Sequence, residues 1–517
     1  MIRTLVQTAM EKNKFYLTSP LYYVNSTPHI GHAYTNVACD TIARFYKLLG
    51  TKVYFLTGTD EHGQKIKRAA DAEGSTPIDF VDTMVGNFKD LWKILNVDYD
   101  DFIRTTEDRH KQAVKQSVEL LFKNKDVYES LYEGFYCVPC ESFWNESQLK
   151  DKKCPDCARG VDFIKEKNYF FKLSKYQDWL TKHIEAHHGF IRPATRRNEV
   201  LSFLKGNKLN DLCISRPKDR LEWGIEFSFD PDYVTYVWFD ALLNYISAIG
   251  CMAHGSKCKE LWPADIHFIG KDILRQHAIY WPIMLKALGF EPPTCVFAHG
   301  WWMVEKEKSV EKMSKSKGNV VSPLDIVEKY GQDQFRFFLL REVPFGLDGK
   351  FSYKALIQRI NSDLANDLGN LVFRTLNMAD KYFAGRVPQS NKAIPAEYKE
   401  TIEALPDKYV SLMKDVNFCS ALEAAWEMIR IANKSVELKK PWVMSKEDKT
   451  AQLQDFIYFL LESIRVVSVY LYPFMPKTAE AIYHQLGLEK DLAKVNFFDE
   501  VKWAGLASGT KIRKGKP

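Results

Sequence analysis

Three groups of residues in this chain have types and spacings that could do chemistry. In PLYYVNSTPHIGHAYT, residues 20–35, His29 and His32 flank Gly31 directly after an apolar run and a proline. Imidazoles can donate hydrogen bonds to phosphate oxygens as charge builds on them, and a glycine lets a nucleotide lie against the backbone. Alone, the pair is also compatible with capping or core histidines. In VEKMSKSKGNVVSP, residues 310–323, Lys312, Lys315 and Lys317 stand among serines and a glycine. By itself this is a solvated charge run. Beside a phosphate site, a lysine-bearing loop can neutralise a triphosphate while pyrophosphate departs. The third group is CVPC (137–140) with CPDC (154–157), a C-x2-C-x13-C-x2-C pattern. Four thiolates at this spacing suit a tetrahedral Zn²⁺ site with no open position, hence a structural one. Two reduced buried pairs or two disulfides are the alternatives.

The surrounding elements must position these groups. KFYLTSPLYYV reads as a buried strand running into a loop. Tyr34, Val37, Ala38, Thr41, Ile42, Phe45, Leu48 and Leu49 then mark one stripe of a helix that Gly50 ends. KVYFLTGTDEHG is a second strand with a Gly-bearing loop, so the unit is βαβ and the sheet parallel and doubly wound. His29, Gly31 and His32 fall at the strand-to-helix crossing, where such sheets bind ligands and a helix amino terminus offers N–H groups to phosphate. YVTYVWFDALLNYISAIG carries Trp238, Ala241, Leu242 and Tyr245 on one helical face, and IHFIGKDILRQHAIYWPIML repeats the strand–loop–helix grammar. From about residue 351 onward, long amphipathic helices replace strands. The fold class is therefore α/β, a Rossmann-like sheet interrupted by the cysteine-bearing stretch and followed by an all-α bundle.

Composition sets wider limits. At 517 residues the chain is long enough for several domains, and 46% hydrophobic with 27% charged residues is ordinary for a globular protein. A net charge of +6 does not by itself argue for nucleic acid. No apolar run approaches the ~20 residues of a membrane span. Cys39, Cys213, Cys251, Cys258, Cys295 and Cys419 are scattered and read as small buried thiols of a reducing compartment. The expected location is cytoplasmic, with an organelle-targeting reading of the first ten residues left open.

The two motifs together, in this order, resemble the signatures of the class I aminoacyl-tRNA synthetases. LTGTDEHGQK, ISRP with EWGI, YVWFDALLNY, FIGKDILRQHAIYWP, NDLGNLVFR and KKPWV are similar to the methionine-activating branch of that family, over nearly the whole chain. The resemblance implies ATP-dependent activation of L-methionine and its transfer to tRNA(Met). It implies catalytic roles for His29, His32, Lys312 and Lys315. Asp60 would hold the methionine ammonium, with Leu21, Tyr23, Trp238, Ala241, Leu242, Tyr245, Ile273 and His277 around the thioether. ATP would meet His29, Gly31, His32, Gly270, Asp272, His299 and Lys315, accompanied by Mg²⁺. Zn²⁺ would sit on Cys137, Cys140, Cys154 and Cys157. Asn370, Arg374, Pro441 and Trp442 would read the CAU anticodon. Trp442 as a plug inside the bundle is the competing role. The implied domains are a catalytic first half (1–118), a connective insertion with a zinc knuckle (119–225), a catalytic second half (226–300), a lysine-loop and stem-contact region (301–350) and a helical anticodon-binding domain (351–517). The chain shows no appended oligomerisation module, so a monomer is expected. The roughly 110 residues between the sheet halves look too few for the editing insertion of the isoleucine, valine and leucine enzymes. A tRNA-binding scaffold with a dead active site is the rival of a different kind.

Overall fold

Alternating side chains along five apolar strands are divided between two cores, and that division explains the architecture. The structure, a computed structural model, describes residues 14–138, 142–144, 146–155, 158–306, 309–312, 321–447 and 449–515. Its main sheet has six strands: β1 (Lys14–Tyr23), β2 (Lys52–Asp60), β3 (Asp101–Arg104), β4 (Ile191–Arg192), β5 (Ile266–Gly270) and β6 (Val296–His299). Their spatial order is β3-β2-β1-β5-β6-β4, and every neighbouring pair is parallel. Phe15, Leu17, Phe55, Phe102, Phe268 and Phe297 face one core, whereas Tyr16, Leu56, Ile103, Ile269 and Val296 face the other. The two-residue period thus sends successive side chains to opposite, equally buried faces, as a parallel sheet requires.

The helix Ile30–Leu48 follows β1, with Gly50 in the left-handed region just beyond its end. It is buried along almost its whole length. Its Asp40 accepts from Arg44 Nε at 2.8 Å and from Arg336 Nη2 at 2.6 Å. Arg336 is fully buried and also donates to the carbonyls of Leu95, Pro473 and Phe474. One core therefore runs from the sheet into the later helices without a break. Beyond Phe351 the described elements are helical, the longest being Phe418–Lys439 and Thr450–Leu471.

The cysteine-bearing stretch is an antiparallel ribbon of Val127–Cys137 and Asp162–Phe171, flanked by Ser142–Trp144 and Leu212–Cys213. One expectation is corrected. Cys251 and Cys258 are joined in a disulfide with their Cα atoms 5.0 Å apart, so they are not free thiols. Gly250 and His254 both adopt left-handed backbone, and Gly255 N–H returns to the Gly250 carbonyl. That reversal brings the two side chains together. Cys39, Cys213 and Cys295 are buried thiols and Cys419 is half-buried. No helix among the described residues is long and apolar enough to cross a membrane.

Candidate active site

After β1 the chain builds β2 and β3 on one side, then crosses to build β5 and β6 on the other. The sheet's switch point therefore lies between β1 and β5, where the carboxyl ends of the strands leave a crevice. Tyr23 and Asp60 are register partners at the ends of β1 and β2. Gly270 and His299 are register partners at the ends of β5 and β6. Four residues singled out from sequence thus lie on one rim.

Beside the crevice, His29 caps the helix Ile30–Leu48. Its Nδ1 accepts from Gly31 N–H and His32 Nδ1 accepts from His29 N–H, each at 3.0 Å, with the rings stacked 3.9 Å apart. Because Nδ1 accepts in both, the proton of each neutral ring resides on Nε2, making that edge a donor. Gly31 also has a role toward its own neighbour. A Cβ there would come within 2.9 Å of the His29 ring, so the glycine admits the capping imidazole. Across the crevice a Cβ at Gly270 would lie 2.5 Å from Asp272 Oδ1 and 3.9 Å from the His299 ring. Asp272 is exposed and Trp301 Nε1 donates to it at 3.2 Å. His299 has both nitrogens engaged, with Gly300 O and with Thr35 Oγ1, each at 2.8 Å. Burial lowers its pKa, so the ring is neutral.

Tyr245, His277 and their neighbours form an apolar wall whose polar atoms pair with one another. Tyr245 Oη lies 2.7 Å from His277 Nε2, and His277 Nδ1 lies 3.0 Å from Ile273 O. The carbonyl can only accept, so Nδ1 carries the proton and the tyrosine hydroxyl donates to Nε2. Burial pushes the His277 pKa down to about 4, which keeps it neutral. His267, stacked 4.2 Å from Tyr245, is likewise held neutral by burial. Leu242 and Tyr245 share a core cluster against which Leu21 and Ile273 pack. Trp238 and Ala241 sit on the helix Val237–Leu242. The expected continuous helix breaks after Leu242 and resumes as Asn244–Ser247. His277 lies in a wider π-helical turn, Gln276–Tyr280, a form often found at functional sites.

Asp60 is buried and opens a loop fastened on both flanks. The Glu61 carboxylate receives both Arg104 Nε (2.8 Å) and Nη2 (2.9 Å), together with the hydroxyls of Thr59 and Thr106. Trp223 Nε1 donates to Glu61 O, and Tyr23 Oη to His62 O. His62 Nδ1 meets Asp240 Oδ2 at 2.7 Å. Sequence reasoning missed Glu61, His62, Asp240 and buried Arg216, whose guanidinium lies over the Tyr136 and Tyr236 rings. Arg216 stood in the quoted ISRP motif, which was the available signal.

Lys312 ends a strand paired with Trp302–Lys306, whose root at Trp301 adjoins Asp272; Lys315 and Lys317 lie outside the described residues. Cys137 and Cys154 are buried together with Trp144, whereas Cys140 and Cys157 also lie outside the described residues. Among the later helices, Asn370 is exposed and Arg374 half-buried on the helix Asn370–Phe383, which continues a π-helical segment, Ile360–Gly369. Trp442 is 45% exposed, next to a buried Pro441.

Residues 15–163 and 159–376 match the family model described as tRNA synthetases class I (M). The chain belongs to the class I tRNA synthetases. It is 48% identical over 509 residues to the methionine–tRNA ligase of Caldanaerobacter subterraneus, covering 98% of this chain and 78% of that one. It is 49% identical over 515 residues to the Clostridium acetobutylicum ligase, with the same coverage. Within the class it is a member of the methionine–tRNA ligases. The solved Mycobacterium tuberculosis methionyl-tRNA synthetase in complex with methionyl-adenylate superposes with a TM-score of 0.91 at 40% identity, covering 96% of this chain and 98% of that one. The free-state structure of that enzyme gives 0.84 at 37% identity, covering 97% of both chains.

Proposed function

We propose that this chain activates L-methionine with ATP, forming methionyl-adenylate and pyrophosphate, and transfers methionine to the 3′ end of tRNA(Met). The observation that carries this reading is the meeting of Tyr23, Asp60, Gly270 and His299 at four strand ends beside a histidine-capped helix. The methionine carboxylate attacks the α-phosphorus and pyrophosphate leaves, so no protein nucleophile is needed. The protein's work is positioning and charge stabilisation. Asp60 pairs with the ammonium, while Leu21, Tyr23, Trp238, Ala241, Leu242, Tyr245, Ile273 and His277 enclose the thioether. The Nε2–H groups of His29 and His32 donate to phosphate oxygens, Gly270, Asp272 and His299 border the nucleoside, and Lys312 and Lys315 attend the departing pyrophosphate. Mg²⁺ accompanies the nucleotide, held largely by phosphates and water.

Zn²⁺ fits Cys137, Cys140, Cys154 and Cys157 by donor chemistry. The shared burial of Cys137 and Cys154 beside Trp144 supports this. The metal would fix the knuckle within the 119–225 segment. That segment is not wholly an insertion between catalytic halves 1–118 and 226–300, because its Ile191–Arg192 pairs with β6 at the edge of the main sheet. The 351–517 helices read the anticodon through Asn370, Arg374, Pro441 and Trp442, as a monomer in the cytoplasm. Pyrophosphate exchange against all twenty amino acids tests the assignment. Methionine alone should support fast exchange, and preference for another amino acid overturns it. Zinc retained after dialysis checks the knuckle, whereas four free thiols without metal remove it.

A further inference from the structure

Asp240 is fully buried on the helix Val237–Leu242, between Trp238 and the Ala241–Leu242 pair. Its two carboxylate oxygens go in different directions. Oδ2 lies 2.7 Å from His62 Nδ1, in the loop that begins with Asp60. Oδ1 lies 2.7 Å from His110 Nε2, on the helix Asp108–Lys123, and His110 Nδ1 lies 2.8 Å from Ser247 Oγ. Burial would raise the Asp240 pKa, but the imidazoles, His62 foremost, outweigh it and hold the group below the usual carboxylate range. An ionised carboxylate only accepts, so both imidazoles donate to it.

The bridge has a consequence for the substrate. A methionine bound as described contacts the Asp60 loop through its ammonium and the 237–242 helix through its side chain. Both supports must keep one separation if both ends are to be held at once. Glu61 and Arg104 fasten the loop toward β3. Asp240 joins the loop to the helix. A buried charge that loses one of its partners is strongly unfavourable, which makes the separation stiff.

We propose that Asp240 is a positioning residue for the amino-acid substrate, holding the Asp60 loop against the pocket wall through His62 and His110. This rests on the reading that Asp60 binds the ammonium. The test is methionine-dependent pyrophosphate exchange with the full chain, varying methionine and ATP separately. Asp240→Asn turns an amide N–H toward a ring N–H, and should raise the methionine KM about tenfold while moving the ATP KM less than about twofold. His110→Ala should raise the methionine KM about threefold, whereas His110→Gln, whose amide nitrogen can replace Nε2 as donor, should stay within about twofold of wild type. An unchanged methionine KM in folded Asp240→Asn overturns the proposal. If that variant does not fold, equal methionine KM values in the two His110 variants overturn it, and the expected split supports it. Absence of methionine-dependent exchange in the wild type would instead overturn the functional reading itself.

Discussion

The crevice and the far helical face are built on opposite principles. Around Tyr245, His277 and Ile273, polar atoms are buried and pair with one another, leaving an apolar, preset surface. At the other end, Asn370, Phe373 and Trp442 stand out from helices, with Phe373 41% and Trp442 45% exposed. A small flexible substrate repays a rigid enclosed site, because loose walls would lose the orientation that speeds the reaction. Nucleobases of a single-stranded loop are large, planar and splayed outward, and an exposed ring can stack on them without enclosure. The two ends should therefore fail in different assays when damaged.

The largest separation is expected from Asp60→Ala. Removing one partner of a buried charge pair costs about 2–5 kcal/mol or more, so methionine kcat/KM in exchange should fall about 10³-fold. Binding of tRNA, followed by filter retention, should stay within about twofold of wild type. Parallel losses in both would show that Asp60 supports the fold rather than the ammonium.

Next in size is a pH effect confined to the crevice. The His277 pKa is about 4 in the folded protein against 6.5 for an ordinary histidine. Above pH 6.5 the ring is neutral in both states and contributes nothing. As pH falls from 6.5 towards 4, the unfolded chain takes up a proton that the folded one refuses, so stability drops. At pH 4.5 this component amounts to about 2–3 kcal/mol. Urea melts at pH 7 and 4.5 should therefore show a smaller loss in His277→Gln than in wild type by about that amount. Identical losses would mean that His277 is not held neutral by burial.

The same contrast governs what could be read from sequence. The apolar run in KFYLTSPLYYV and the helical stripe from Tyr34 to Leu49 pointed to the βαβ unit, because both record burial locally, and Gly50 marked the helix end. Asp60 was singled out through the resemblance carried by LTGTDEHGQK, not through any local period. The Asp240 bridge was not legible. Its partners are 178 and 130 residues away along the chain, and no local period encodes that contact. The π-helical turns that carry His277 and precede Asn370 are also invisible to a search at helical period, since they alter hydrogen bonding without changing composition. At Gly31 the space a Cβ would fill is taken by the capping His29 ring, a contact between neighbours whose geometry only coordinates reveal.

At the helical end, Trp442→Ala should lower aminoacylation kcat/KM about 10- to 100-fold, matching a base–aromatic stack worth ~1–3 kcal/mol. Pyrophosphate exchange without tRNA should stay within about twofold of wild type. Loss of exchange as well would place Trp442 in the support of the fold, against its exposure.

The smallest effect probes how finely the enclosed wall discriminates. Tyr245 Oη and both ring nitrogens of His267 and His277 are engaged with one another, with Thr18, with Trp281 Nε1 and with Ile273 O, so these polar atoms already have partners within the wall. What remains is soft contact between sulfur and ring edges, worth ~0.3–1.5 kcal/mol. Norleucine, with CH₂ in place of sulfur, fills the same volume and loses only that contact. Its exchange kcat/KM should therefore lie about 2- to 10-fold below that of methionine, with little change in kcat at saturation. Discrimination beyond about 10⁴-fold would require a polar group dedicated to the thioether, because rejection on that scale comes from buried partners left unpaired. The same assay in Tyr245→Phe sharpens the point. That change frees His277 Nε2 from its donor, so both substrates should weaken together and their ratio should stay within about twofold.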